Sequence, residues 1–349
     1  MSGIPATALL RLACDLLTAV GTPEAHALTV AEAMIDADIE GLGSHGLMML
    51  PMYLDRASAG SIDPGAGGRI VTDLGSRVVI DAENGFGHLT ATTAAALACD
   101  RAETHGLAAV AVRNAFHFGA AGRYARSMAL RGCIGIVLAN TRPLMPAPGG
   151  AERVVGNNPI AIAVPAGTEP IVLDLALSAG AMGKIRLADS KGEAIPGDWA
   201  TDASGVPTTN AAEAITGMLL PTGGAKGFGL AVMVDLLVGG LSSGAIGDEV
   251  RPLFGDPSLP YGSANLFLAI KVDGFRPLAG FEAAADAFAG KIRGSKLAPG
   301  APPARVPGDR AIAAHRAFGG NLTLPAATLA GLRKSAGLLG VELPAGFPA

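Results

Sequence analysis

The sequence predicts an α/β protein with a helical N-terminal part and a sheet-based second part. Short apolar runs at residues 109–112, 133–139 and 266–272 read as buried strands. Longer amphipathic stretches separate them, and 349 residues at 50% hydrophobic content supply apolar material for two lobes. With only 16% charged residues, a disordered chain is excluded.

Taken in order, Thr22-Pro23-Glu24 opens a helix with a hydroxyl cap, a proline at the first helical position and an acid on the positive end of the dipole. That helix runs to about Glu40, where Gly41 and Gly43 end it. Pro51 is tolerated only in a helix's first turn, so Ser44 and His45 are expected at the N-terminus of the helix that holds it, a place suited to anions. Residues 69–72 and 77–81 form a hairpin around Gly75-Ser76. Asn84-Gly85-Phe86-Gly87 then leads into a helix over residues 88–105. This approach imitates a dinucleotide fingerprint, but Thr90 stands where the third glycine belongs, and the stretch reads as a plain turn. Residues 171–174 are a strand, 179–187 a helix carrying Lys184, and 189–211 a polar surface excursion containing Trp199. The most apolar run, residues 230–241, carries Asp235 and is too short for a bilayer, so it reads as a core helix. Helices over 281–292 and 324–339 complete the chain.

The chemistry-bearing residues concentrate between Asn114 and Pro165. A strand delivers His117 to a loop, and Gly119, Ala120, Ala121 and Gly122 leave the main chain bare enough for a ligand to lie against it. Elsewhere, residues 221–229 form a glycine-rich loop without P-loop spacing, whose amides suit an anion. No HExxH, CxxC or carboxylate ladder offers a metal shell, and no serine lies in a G-x-S-x-G frame. What remains is acid–base histidine beside bare backbone, which suits proton exchange with a carbonyl or imine. A net charge of −4 gives no broad basic surface for nucleic acid. Cys14, Cys99 and Cys133 read as reduced core residues, and the N-terminus lacks secretory features, so a cytoplasmic protein off the membrane is expected.

Several blocks carry a resemblance. SHG at residues 44–46 with Tyr53 following, HFGAAGRY at 117–124, GNNPIAIAVP at 156–165, Gly183-Lys184, GVPTTN at 205–210 and LLPTGGAKGFGLAVMVDLL at 219–237 resemble the malate/L-lactate dehydrogenase family. That family also contains ureidoglycolate dehydrogenases and reductases of pyrroline- and piperideine-2-carboxylate. With a weaker match at 307–310, the blocks keep family order over nearly the whole chain.

The resemblance implies an α/β fold distinct from the Rossmann domain, which agrees with the absent G-x-G-x-x-G. It implies a homodimer using NAD or NADP to move a hydride between nicotinamide and C2 of a small 2-oxo or 2-hydroxy acid. Reduction of a cyclic imino acid is the alternative, and a cofactor-binding protein without catalysis is the rival from another class. It further implies a helical substrate and dimerisation lobe from residues 1–75 and 245–349, and a nicotinamide lobe from 76–244. By the same resemblance His117, Phe118, Gly119, Ala120 and Ala121 face the cofactor, joined by Asp174, Leu175, Ala176, Ala225, Lys226, Gly308, Asp309 and Arg310. His45 or His117 handles the proton; Ser44 and Lys184 complete the catalytic set, and Met49, Tyr53 and Asn157 occupy substrate positions.

Three departures from the family pattern matter. Met49 stands where an arginine usually forks onto the substrate carboxylate. Asn157 replaces a threonine, and Lys184 replaces the aspartate of the imine-reductase relay. Arg56, Arg113, Arg142 and Lys184 are the cations available to replace the missing arginine.

Overall fold

The computed structural model describes residues 3–348. Its N-terminal part runs β1 (Ile4–Pro5), α1 (Ala6–Ala19), α2 (Glu24–Ile39), two 3-10 turns at Gly43–His45 and Leu47–Met49, and α3 (Leu50–Ser58). Next come β2 (Arg69–Asp73), β3 (Arg77–Asp81), α4 (Gly87–His105), β4 (Leu107–Ala115), α5 (Ala121–Ala129) and β5 (Cys133–Ala139). They are followed by β6 (Met145–Pro146), β7 (Arg153–Val155), β8 (Ile160–Val164), β9 (Ile171–Leu175), α6 (Met182–Lys191), α7 (Ala211–Thr216) and α8 (Ala225–Asp235). The chain closes with β10 (Ser263–Lys271), α9 (Leu278–Arg293), α10 (Asp309–Ala317), β11 (Asn321–Leu322) and α11 (Ala326–Leu339).

Seven strands make the main sheet in the order β2-β3-β4-β10-β5-β8-β9. Only β3 and β4 pair in parallel, joined by α4; every other neighbouring pair is antiparallel. Alternation sorts the side chains onto two faces. Val110, Val112, Val137 and Phe267 meet α4 and α5 on one face, while Ala111, Leu138 and Leu266 meet Ala231, Val234 and Val238 on the other. Small residues set how closely α5 approaches: a Cβ on Gly135 would lie 2.7 Å from that of Met128, and Ala161 and Ala163 face the same layer. A third apolar cluster joins α1, α2, α3 and α11 through Leu12, Leu16, Met34, Leu50 and Leu332. Each such leucine contributes roughly 1.5–3 kcal/mol by leaving water.

Several expectations need correction. The lobe boundaries do not follow the sheet: β10, inside 245–349, is its central strand, because it satisfies the inner edges of both β4 and β5. β2, inside 1–75, is an edge strand of the same sheet. Thr22 does not cap α2; its hydroxyl is buried without a partner, and Pro23 takes the cap position. The apolar run at 230–241 is not buried all round. Ala231, Val234 and Val238 face the sheet, while Leu230, Met233, Leu237 and Leu241 are exposed. The helix carrying Lys184 starts later than expected, at Met182.

Candidate active site

Ser44 and His45 lie on a 3-10 turn upstream of α3 instead of on its first turn. Gly46 interrupts the helix with an extended ψ of −153°, and a Cβ there would collide with the carboxylate of Asp38 on α2. That carboxylate accepts a 2.8 Å hydrogen bond from Leu47 N–H. Burial raises the Asp38 pKa to about 6, against the lowering effect of the Leu47 bond. Asp38 thereby fixes the turn that presents His45, and Pro51 sits in the first turn of α3, where its missing N–H costs nothing.

The opposite wall grows from β4. Beyond Ala115 the chain passes Phe116, which is fully buried, and reaches His117. His45 and His117 then face each other as nearly parallel rings, 5.5 Å between centroids and 27° between planes. Both residues are half-buried. Ser44 Oγ lies 2.9 Å from His45 Nδ1, and Tyr53 Oη lies 2.5 Å from His117 Nδ1. Tyr53 is itself fully buried, edge-on to Phe116 at 5.1 Å, so its hydroxyl is held in place.

Electrostatics keep these imidazoles neutral. Burial, followed by the charges of His45 and His88, holds His117 well below the ordinary histidine range. Burial alone lowers His45. His88, behind Tyr53, is fully buried with both ring nitrogens unpartnered, and burial and then His45 push it down to about 3. Burial holds the Tyr53 phenol well above its usual value, so it stays protonated and able to donate. A proton entering this site must be shared among imidazoles that repel a second one.

A cradle continues from the histidines. Gly119 has φ +77°, and a Cβ there would stand 3.0 Å from His88 Nε2 and 3.9 Å from His45 O. Only glycine gives both that backbone and that clearance. Gly119 and Ala120 are half-buried, whereas Phe118 and Ala121 turn inward. Gly122 N–H, in the first turn of α5, donates to Asp174 Oδ2 at 2.7 Å, which ties α5 to β9. Gly308 packs on Val172 of β9, and Val172 N–H donates to Pro307 O at 3.3 Å. Beyond Leu175 and Ala176, Leu177 O accepts from Thr222 N–H at 2.9 Å, on the loop that leads to Ala225 and Lys226 at the start of α8. Backbone bonds thus link Gly122 to Asp174, β9 to Pro307, and Leu177 to the loop before α8. The cleared main chain at Gly119 and the N-terminus of α8 are of a kind that fits a dinucleotide.

Other expected residues lie apart. Lys184 is exposed, its Nζ 5.9 Å over the Trp199 ring. Met49 is only 3% exposed and packs in the N-terminal apolar cluster, so it presents no polar atom to substrate. Asn157 Oδ1 accepts from Thr141 Oγ1 at 2.9 Å. Asp309 pairs with Arg293, and Arg310 is exposed. Sequence reasoning missed Asp38, whose only signal was Gly46 in a turn. It also missed the buried Asn140–Asp235–Asn158 network, 3.0 and 3.3 Å, which pins the loops after β5 and before β8 to α8. Among the described residues no group of three or more His, Cys, Asp or Glu could hold a metal ion.

Two facing imidazoles thus stand beside a glycine-cleared main chain on a mixed, non-Rossmann sheet. The chain belongs to the malate/L-lactate dehydrogenase family, which matches residues 4–333, and is therefore an oxidoreductase with a nicotinamide cofactor. It is 37% identical to a malate dehydrogenase of Pyrococcus abyssi over 85% of this chain and 83% of that one. A (2R)-3-sulfolactate dehydrogenase (NADP(+)) of Chromohalobacter salexigens is 41% identical over 70% of this chain and 73% of its own. The solved sulfolactate dehydrogenase of Methanocaldococcus jannaschii superimposes with a TM-score of 0.93 at 32% identity, covering 98% of both chains.

Proposed function

We propose that this protein interconverts a small 2-oxo acid and its 2-hydroxy acid, with His117 exchanging the proton at the C2 oxygen. The observation that carries this reading is the facing pair His45 and His117, half-buried beside Gly119. When bound, the nicotinamide cofactor supplies or accepts the hydride at C2. Residues 117–121, Asp174–Ala176, Ala225–Lys226 and Gly308–Arg310 would hold it.

The remaining work belongs to side chains of this protein. In the oxidation direction His117 Nε2 takes the hydroxyl proton; its low pKa leaves the ring unprotonated and available at neutral pH. Nε2 is free to accept because the neutral ring carries its hydrogen on Nδ1, which donates to Tyr53 Oη before and after the transfer while the tyrosine hydrogen points to His117 O, 3.5 Å away. In the reduction direction the same low pKa makes the protonated ring a strong donor to the carbonyl oxygen. His45, oriented by Ser44, stacks beside the His117 ring and disfavours a second proton. The burial of Tyr53, Phe86 and Phe116 behind the site keeps water from that side.

The finer assignments rest on separate features. The exposed stripe Leu230, Met233, Leu237 and Leu241 supports a homodimer, since it spaces four apolar residues along one helical face. Three free cysteines support a reducing compartment such as the cytoplasm. No helix among the described residues is long and apolar enough to cross a membrane. The test is a panel: oxaloacetate, pyruvate, 3-sulfopyruvate and the two cyclic imino acids, each with NADH and NADPH. Turnover is expected with 2-oxo acids. Turnover of the imines alone would transfer the assignment to the imine reductases, and nucleotide binding without any turnover would support the non-catalytic rival.

A further inference from the structure

We infer that Arg142 binds a carboxylate of the substrate, in place of the arginine that Met49 displaces. This inference rests on the proposed oxidoreductase reading and names the residue that would set its substrate class. Sheet register places Arg142 at the site. Ala115 of β4 pairs with Ser263 and Ala139 of β5 pairs with Asn265, so β4 and β5 flank β10 and end at the same edge of the sheet. His117 lies just beyond the end of β4 and Arg142 just beyond the end of β5. One strand separates them, a lateral backbone distance of about 10 Å. Tyr261, just before β10, fills the interval: its ring is 5.6 Å from Phe116, and its phenol lies within electrostatic reach of Arg142.

Every other candidate cation is committed elsewhere. Arg56 is fully buried and donates to the carbonyls of Pro252, Leu253 and Leu259. Arg113 pairs with Asp81 at 3.0 Å. Lys184 lies over Trp199. Among the described residues the Arg142 guanidinium has neither a hydrogen-bond acceptor nor an ion-pair partner, although the residue is half-buried. Its charged neighbours are Arg153 and Arg186, both of its own sign. An unpaired guanidinium under like charge is costly to hold, and an incoming anion relieves that cost. The backbone that carries it is fixed: Thr141 N–H donates to Asn158 Oδ1 at 3.0 Å, and Thr141 Oγ1 bonds Asn157 at 2.9 Å. A planar fork on a fixed backbone is the geometry for bidentate carboxylate recognition.

The test compares wild type with Arg142→Gln and Arg142→Lys, using oxaloacetate as the dianion and pyruvate as the monoanion, with NADH and NADPH affinity measured by nucleotide fluorescence. Wild type is expected to favour oxaloacetate at least tenfold in kcat/KM. Arg142→Gln should raise KM for oxaloacetate more than tenfold and shrink that preference, with nucleotide Kd unchanged and a melting temperature no lower than wild type. Arg142→Lys, which keeps charge and loses the fork, should recover part of the KM; it also reads the effect if the glutamine variant folds poorly. Wild-type turnover accompanied by unchanged KM in both variants overturns the Arg142 assignment alone. A wild type that neither binds a nicotinamide nucleotide nor turns over overturns the oxidoreductase reading, and this assignment with it.

Discussion

Tyr53→Phe isolates the hydrogen bond on which proton transfer through His117 depends. The substitution keeps the ring, which is fully buried and edge-on to Phe116 at 5.1 Å, and deletes only the oxygen 2.5 Å from His117 Nδ1. With nothing else near to pair that nitrogen, the imidazolium loses a charge-assisted bond of about 1.5–3 kcal/mol. At roughly 1.4 kcal/mol per tenfold in rate, kcat should fall about 10- to 100-fold. KM should change little, since Tyr53 is fully buried and its hydroxyl meets the imidazole. The direction in pH also follows. Loss of the partner lowers the His117 pKa further, so the alkaline limb of the reduction profile, where the ring loses its proton, should move to lower pH. The assay is steady-state NAD(P)H oxidation with oxaloacetate between pH 5 and 9, with a melting curve as the folding control. A kcat within twofold of wild type and an unmoved pH profile would refute the reasoning.

Other consequences can be read in parallel. Asp38→Asn should remove a pH dependence of stability. The folded pKa is raised to about 6 from the ordinary 3.8, so the native state binds the extra proton between those limits. Wild-type stability should therefore fall as pH rises from about 4 to 6, by on the order of 1–2 kcal/mol after solvent screening, and chemical denaturation of the variant should lack that slope. Arg56→Met leaves the carbonyls of Pro252, Leu253 and Leu259 without their donor and should cost about 1–2 kcal/mol, since those carbonyls lie on half-buried or exposed residues that water can reach; it is seen as a lower melting point, while KM for substrate stays near wild type. Gly119→Val places a β-branched side chain at φ +77° against His88 and should weaken nucleotide binding at least tenfold by fluorescence titration.

Much of the fold was legible because the helices and strands obey their own periods. α2, α4, α9 and α11 and strands β3, β5 and β9 lie where apolar spacing, prolines and glycines put them. β8 was not legible although Ile160–Val164 alternates, because five residues directly after the turn sequence Gly156–Pro159 are too few to set a strand apart from the loop. The sheet order was not legible: nothing in residues 263–271 announces that they pass between β4 and β5, since β10 is apolar on both faces and pairing partners are a tertiary outcome. For the site, His117 beside Gly119 was evident from local sequence. The approach of His45 to it across the chain came from family resemblance, as no spacing encodes a contact between residues so far apart. The tie of Tyr53 to His117 and the commitment of Arg56 to carbonyls were invisible, because burial gives an arginine or tyrosine its partners and sequence gives only its type.

The most direct test of the account is the kcat of His117→Asn for oxaloacetate reduction, with nucleotide Kd measured on the same preparation. Loss of the proton donor should lower kcat by about 10²–10⁴-fold while the Kd stays within threefold. A variant that turns over within a few-fold of wild type would contradict the assignment of the proton to His117.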